Sequence, residues 1–517
     1  MRNKSLMKPA QFILILSVIG GELAFAQAGE IYSMPLLVGE VTRTSAIFQS
    51  RLCAKDTLIY SDVQSADGIY LADIAGREGV ARFEISAVQG FEKPIRTDWI
   101  RAEPGSDFIV KCKVNELLPG TRYFYRLIYG PDKDHTEAGP ANSFSTLPAM
   151  DSVASADFIM VTGSHLERFY LGGGFGKSSS QGTGAYTKED KYEGFPGFET
   201  IAEMQPGFFI GNGDNVYYDH PPSHMAKTQE ELRAEWHRQF AMPRIRKMFS
   251  VVPTYWLKDD HDHRFDDSDT VNANRKFGPL PSHQLGVSTF LEQVPVTDPE
   301  ETNPLTYRTI RINALLQIWM VEGRDYRSPN KMKDGPGKSI WGETQLNWLK
   351  STLNESDALF KILVSPTPLV GPDGSTKIDN HTNLSGFRFE GENFFKWLKE
   401  NNFLEKGFYI VCGDRHWQYH AVHPSGFEEF SCGALVDQNS RMGVDPGDPE
   451  STDPEGLVVQ PYTSAEPSGG FLRVRVNPPC DKNISSISFI FYDEYGRELY
   501  RETKYHHYAK TFRITGT

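Results

Sequence analysis

The sequence predicts a small β-sandwich followed by a layered α/β domain, and three observations carry that prediction. Residues from about 30 to 148 break into strand-length runs separated by turn residues. From 157 onward, short apolar runs alternate with helical stretches, as strands buried on both faces alternate with covering helices. Polar residues of metal-ligand type collect just after those apolar runs, where α/β folds gather their ligands.

The chain has 517 residues, enough for two to four domains and at least one large core. Its 39% hydrophobic and 12% aromatic content suits a soluble globular protein. A formal charge of −13 argues against a nucleic-acid backbone as main partner. A small anionic substrate remains compatible, because bound cations reverse the local field.

Residues 1–26 read as a signal peptide. Arg2, Lys4 and Lys8 precede the apolar run that opens at Phe12-Ile13-Leu14-Ile15-Leu16, and Ala24-Phe25-Ala26 fits a cleavage site. No later run is long enough to span a membrane. The expectation is an exported protein, periplasmic or secreted. Export permits disulfides, and Cys53 and Cys112 share the first module and could pair; Cys412 and Cys432 sit in apolar runs as buried thiols. No Cys-x-x-Cys occurs to suggest a thiolate metal site.

In the first module, Ala46 to Arg51, Ala81 to Ile85 and Phe108 to Val114 have strand lengths and β-branched content. Leu118-Pro119-Gly120-Thr121 turns into the alternating run Arg122 to Leu127. This Leu-Pro-Gly-Thr-x-Tyr-x-Tyr stretch resembles fibronectin type III modules. Residues 30–148 are therefore taken as an N-terminal sandwich, 141–156 as including the linker, and 157–517 as a catalytic domain.

In the second part, five apolar runs end in chemistry. Phe158 to Val161 leads to His165, and Phe208 to Ile210 leads to Gly213-Asp214-Asn215-Val216-Tyr217. Val251 to Leu257 leads to Lys258-Asp259-Asp260-His261-Asp262-His263. Leu315 to Val321 leads to Gly323-Arg324, and Phe408 to Cys412 leads to Gly413-Asp414-Arg415-His416. Three carboxylates and two imidazoles in the five residues 259–263 would repel or stay unpaired in an ordinary core. Beside a cation they become ligands, and mixed oxygen and nitrogen donors suit zinc, iron, manganese or calcium. The competing reading is a solvated acidic turn. Helices are predicted over roughly 195–205, 227–249, 342–353 and 391–401. After the acidic Pro/Gly loop that starts at Asp445, the runs from Phe471, Ile484 and Arg497 read as antiparallel strands completing the catalytic sheet. Gly172 to Ser178 mimics a phosphate-binding P-loop but is one residue short in spacing, so a mobile lid carrying Lys177 is expected instead.

Taken together, residues from about 157 to 445 resemble the alkaline phosphatase D (PhoD-like) family of the metallophosphoesterase superfamily. The matching stretches are Gly-Asp-Asn-Val-Tyr at 213–217, Asp-Asp-His-Asp at 259–262, Gly-Arg-Asp-Tyr-Arg at 323–327, Asp-Asn-His-Thr-Asn at 379–383 and Gly-Asp-Arg-His-Trp-Gln-Tyr at 413–419. The resemblance implies a four-layer α/β/β/α fold behind the sandwich and a small-molecule phosphate ester as substrate. It implies two or more metal ions, drawn from Fe3+, Ca2+, Zn2+ or Mn2+. Asp214 would bridge them, Tyr217 would ligate as a phenolate, Asp260 would hold the second ion, and Asp414 and His416 would complete the set. A hydroxide held by the ions would attack phosphorus in line, and His261 would protonate the leaving oxygen. Arg324 and Arg327 would grip phosphate oxygens, with Asn380 and His381 facing the same cavity. Asp259 and Asp262 would orient imidazoles or take a further calcium. One departure stands out: His165 occupies a place where many members carry Cys. A neutral imidazole there holds a ferric ion less well than a thiolate does, which leaves metal identity open. The alternatives are a phosphodiesterase of the phospholipase type and a non-catalytic metal- or phosphate-binding surface protein.

Overall fold

The computed structural model describes residues 30–507 apart from 58–59, 66–67, 72, 173–183, 272–273, 276–277 and 480–482. The signal-peptide segment, the glycine-rich stretch with Lys177, and Cys480 lie outside the described residues.

Two sheets packed face to face form the centre. The larger has nine strands, in the order Glu498–His507, Ile484–Asp493, Gly470–Asn477, Ala156–Val161, Phe208–Asn212, Thr254–Leu257, Tyr32–Gly39, Ala46–Cys53 and Ile109–Val114. The other has seven, including Leu316–Met320, Phe360–Ser365 and Phe408–Cys412, which run parallel. Alternation along each strand decides the layers. Phe158, Met160, Phe208, Ile210, Tyr255 and Leu257 meet Ile318, Met320, Ile362, Val364 and Val411 between the sheets. Their neighbours Ile159, Val161, Phe209 and Trp256 point outward and are covered by Phe198, Ile201, Trp236, Phe240 and Phe249. These come from helices Pro196–Met204, Gln229–Phe240 and Pro243–Phe249. On the far side, Trp319, Leu363 and Ile410 are covered by Leu349 and Leu353 of helix Gly342–Glu355 and by Phe394 and Leu398 of helix Arg388–Glu400. The result is the expected α/β/β/α stack. Each large apolar side chain so buried contributes on the order of 1.5–3 kcal/mol.

The helix expected over 227–249 is two helices. Pro243 lacks the amide that would continue the first and instead occupies the first turn of the second. Helices Leu166–Leu171 and His283–Gln293 have weak apolar periodicity and were not foreseen.

The N-terminal sandwich packs Tyr32–Gly39, Ala46–Cys53 and Ile109–Val114 over Gly79–Ser86, Arg122–Gly130 and Asn142–Ser145. Phe48 sits centrally, 5.2–5.6 Å from the rings of Phe83, Tyr125 and Phe144. This module does not stand apart from the rest of the chain. Gly39 pairs in parallel with Thr254, so the sandwich's first sheet continues the nine-stranded one. A Cβ at Gly39 would come within 2.6 Å of Pro295, so the junction requires glycine.

The possible Cys53–Cys112 disulfide is not formed, and both thiols are free. Cys112 is in register with Phe48, five residues along the strand from Cys53. That separation is on the order of 16 Å, far beyond the ~7 Å a disulfide can bridge.

Candidate metal centre

The carboxyl ends of the central strands deliver the site. After Phe208–Asn212 the backbone turns sharply: Gly213 and Asp214 both have positive φ, at 82° and 52°. After Phe408–Cys412, Asp414 is likewise left-handed, with φ of 60°. A non-glycine residue held in that region stores backbone strain, and such residues cluster at functional sites. The Thr254–Leu257 strand runs into the short helix Asp260–His263. Asp262 fixes that corner. It accepts from the Asp259 amide at 2.7 Å, the Asn215 amide at 3.1 Å and Asn215 Nδ2 at 2.7 Å. Asp262 is therefore a structural tie, bonded to backbone amides and Asn215 and to no imidazole among these contacts.

Three ligand-type atoms, one of them from Asp214, converge here. Tyr217 Oη lies 3.1 Å from Asp214 Oδ2 and 3.4 Å from His416 Nε2, and His416 Nε2 lies 3.6 Å from Asp214 Oδ2. Donors about 2.0–2.2 Å from one cation stand roughly 3.0–3.5 Å from each other, so the set fits an ion. Asp214, Asp260 and His261 also bring ligand atoms within 4.8 Å of one another, as do Asp259, Asp260 and Asp414. Asn439 Nδ2 donates to Tyr217 Oη at 2.9 Å and orients the phenol.

The electrostatics demand positive charge. Asp214 Oδ1, Asp259 Oδ2 and Asp260 Oδ1 are buried without a hydrogen-bond partner. Burial, reinforced by the neighbouring carboxylates, pushes Asp214 well above the usual carboxylate range. Burial does the same to Asp259 despite Arg324, and lifts Asp414 to about 6. An unpaired buried carboxylate costs several kcal/mol, and cations of the hard or borderline kind remove that cost. Burial holds His165 and His416 well below the usual imidazole range, which leaves them neutral and able to ligate. Burial, then the charge of Asp214, holds the Tyr217 phenol protonated well above its usual range. The donor set fits hard and borderline metal ions.

His261 contacts Asp219 through Nδ1 at 2.7 Å. Burial disfavours its charged form, but Asp219, Asp260 and Asp214 outweigh that and hold the imidazole protonated well above its usual range. Asp219 and His220 were missed in the sequence, although both simply extend the Asp-Asn-Val-Tyr run. Asn439 carried no signal, since only the tertiary fold brings it to Tyr217.

The structure brings Asp214, Tyr217, Asp260, His261, Asp414 and His416 together, with His165 stacked on Tyr217 at 3.9 Å. Four other residues, Arg324, Arg327, Asn380 and His381, are held by protein partners around it. Arg324 is fully buried, donating through Nε to Asp259 Oδ1 at 2.6 Å and through Nη1 to the Ser268 carbonyl at 2.9 Å. Its Nη2 has no hydrogen-bond partner and lies 3.8 Å from Asp260 Oδ1 and from Asp379 Oδ2. Arg327 is also buried, tied to the Gly323 carbonyl and Asn330 Oδ1 and set against the Phe387 ring. Asn380 spends its amide on Thr382 and Asp373. His381 Nε2 meets Glu390 at 3.0 Å, beside the Trp341 ring. All four are buried, a placement that sequence alone does not show.

A buried carboxylate–imidazole–phenol cluster at the strand ends of an α/β/β/α sandwich defines a metal-dependent phosphoesterase, a phosphoric ester hydrolase. The chain belongs to the PhoD-like phosphatase family, whose profile matches residues 179–459. Its fold is similar to that of PhoD, with 15% identity, a TM-score of 0.64, and coverage of 90% of this chain and 91% of the other. It is also similar to purple acid phosphatase PPD1 from yellow lupin (Lupinus luteus) seeds, with 11% identity, a TM-score of 0.55, and coverage of 91% of this chain and 74% of the other. No curated protein matches the chain in sequence. No helix among the described residues is long and apolar enough to cross a membrane.

Proposed function

We propose that the protein is an exported hydrolase of small phosphate esters that works with at least two metal ions. The observation that carries this reading is the convergence of Tyr217 Oη, Asp214 Oδ2 and His416 Nε2 within 3.1–3.6 Å, next to carboxylate oxygens that have no partner. Asp214, Tyr217 and His416 would hold one ion, and Asp260 with Asp259 and Asp414 another. Ions bound there would supply Lewis-acid charge for the phosphoryl oxygens and lower the pKa of a water. Which of iron, calcium, zinc or manganese they are is part of the proposal to be tested.

The chain's own residues do the rest. His261, held through Nδ1 by Asp219, keeps its Nε2 proton for the departing alkoxide. Arg324 positions Asp259, and Arg415 positions Asp414 through a 2.6 Å contact from Nη1 to Oδ2. Asn439 aims the Tyr217 oxygen. Cleavage after residue 26, the sandwich at 30–148 and a catalytic unit spanning 157–517 belong to the same proposal.

The test is elemental analysis of the purified protein together with hydrolysis of a chromogenic phosphomonoester and its diester counterpart. Stoichiometric metal, with turnover lost on chelation and restored by one ion, is the expected result. A fully metal-loaded protein that turns over neither ester class would refute the reading and leave a binder.

A further inference from the structure

We propose that His165, Glu167 and His220 form a further cation site, distinct from the Asp214 cluster, that takes a divalent first-row transition ion such as Zn2+. One ligand atom from each of the three lies within 4.8 Å of the other two. His165 caps helix Leu166–Leu171 and is 1% exposed, with Nε2 buried and lacking any hydrogen-bond partner. Its Nδ1 meets only the Arg168 amide, at a long 3.4 Å. The Nδ1–H tautomer therefore sacrifices little and frees the Nε2 lone pair. Glu167, in the first turn of the same helix, buries Oε2 without a hydrogen bond, 3.8 Å from His220 Nδ1. That distance is too long for a hydrogen bond. His220 stands edge-on to His165, with ring centroids 4.8 Å apart.

His165 Nε2 and Glu167 Oε2 are thus buried without a hydrogen-bond partner, whereas buried polar atoms normally have one. A cation between them removes the mismatch. His220 also neighbours Asp219 and His261. Those two are already committed to each other at 2.7 Å, which leaves His220 to the His165 side. Two imidazoles and one carboxylate favour zinc, manganese or ferrous iron over calcium. Three protein ligands leave coordination positions open, and they open onto a cavity of about 530 Å³ lined by all three residues together with His224, Glu230 and Glu231.

The test uses the full chain exchanged into Zn2+ and into Co2+. Glu167→Gln should lose one equivalent of ion by elemental analysis, or bind that ion at least ~100-fold more weakly, and His220→Asn should repeat the loss. Both variants are first checked for an unchanged circular dichroism spectrum, and either one suffices if the other does not fold. Asp214→Asn should retain this ion: its visible Co2+ absorption persists and disappears when Glu167→Gln is added. Equal ion counts and affinities in the parent, Glu167→Gln and His220→Asn would overturn the proposal, as would loss of every ion in Asp214→Asn alone. Failure of the hydrolase reading would look different: no ester turnover, with the Glu167-dependent ion still bound.

Discussion

Two buried charge clusters in this molecule are built in opposite ways. Where the sandwich meets helix Gln229–Phe240, Asp107 accepts from Arg51 Nε and Nη2 at 3.2 and 3.1 Å, and from Gln293 at 2.8 Å. Arg51 is on Oδ1, whereas His237 Nε2 contacts Oδ2, the oxygen that Gln293 shares, at 2.5 Å. Burial alone would raise Asp107, but the bond and charge of His237, with Arg51, more than offset it and hold it down at about 2. At the strand ends, by contrast, carboxylates outnumber their partners, and Asp214 and Asp259 are pushed up. The first cluster is complete as protein and serves stability. The second is complete only with cations, and that incompleteness marks it as functional.

The comparison breaks most visibly under mutation of each central aspartate. Asp214→Ala should lower turnover of a phosphate ester by about 10³-fold or more, since a ligand to transition-state-stabilising charge is lost. Asp107→Ala should leave turnover per folded molecule near the parent's. Steady-state kinetics decides, and equal losses would erase the contrast. On stability the order reverses. Asp107→Ala leaves Arg51 buried without its counter-charge and His237 with Asp73 alone, and should cost about 3–5 kcal/mol in denaturant unfolding.

Asp219→Asn should reduce kcat by roughly 10²-fold for an alkyl phosphate, whose leaving oxygen needs the His261 proton. For a nitrophenyl ester, whose leaving group departs unprotonated, the loss should be much smaller. A uniform loss on both substrates would remove His261 from the role of acid.

Acid sharpens the contrast further. Asp107 is depressed on folding, so its contribution is fully present above the unfolded value of about 3.9. It fades as pH falls from there through about 2. About 2–3 kcal/mol should disappear over that window, and Asp107→Asn should flatten the profile. The smallest effect has the opposite sign. In metal-free protein, Asp214→Asn removes a buried carboxyl that must either stay unmatched or take up a proton, and should raise Tm, by about 1–3 kcal/mol in stability. Metal-free Asp107→Asn should melt lower than its parent.

Much of this was readable in advance. The strand Phe408–Cys412 and the helices near 196–204 and 342–355 follow from apolar spacing that packing merely completes. The Gly-Asp pairs at 213–214 and 413–414 and the run 259–263 announced themselves because so many ligand-type residues cannot share a core without a cation. The sequence did not show which protein groups Arg324, Arg327, Asn380 and His381 would bond. Their roles depend on which loop covers them, and loop burial leaves no period in the sequence.

By itself, then, the sequence determined the layered class and the alternation of covered faces, since periodicity is local. Only the tertiary structure decided that Gly39 joins the sandwich to the catalytic sheet, that Asp219 holds His261, and that Arg324 faces inward. It also decided that His165 faces Glu167 and His220. Each of these depends on a distance between residues far apart in the chain or on the direction of one buried side chain, and close packing fixes those only once every layer is in place.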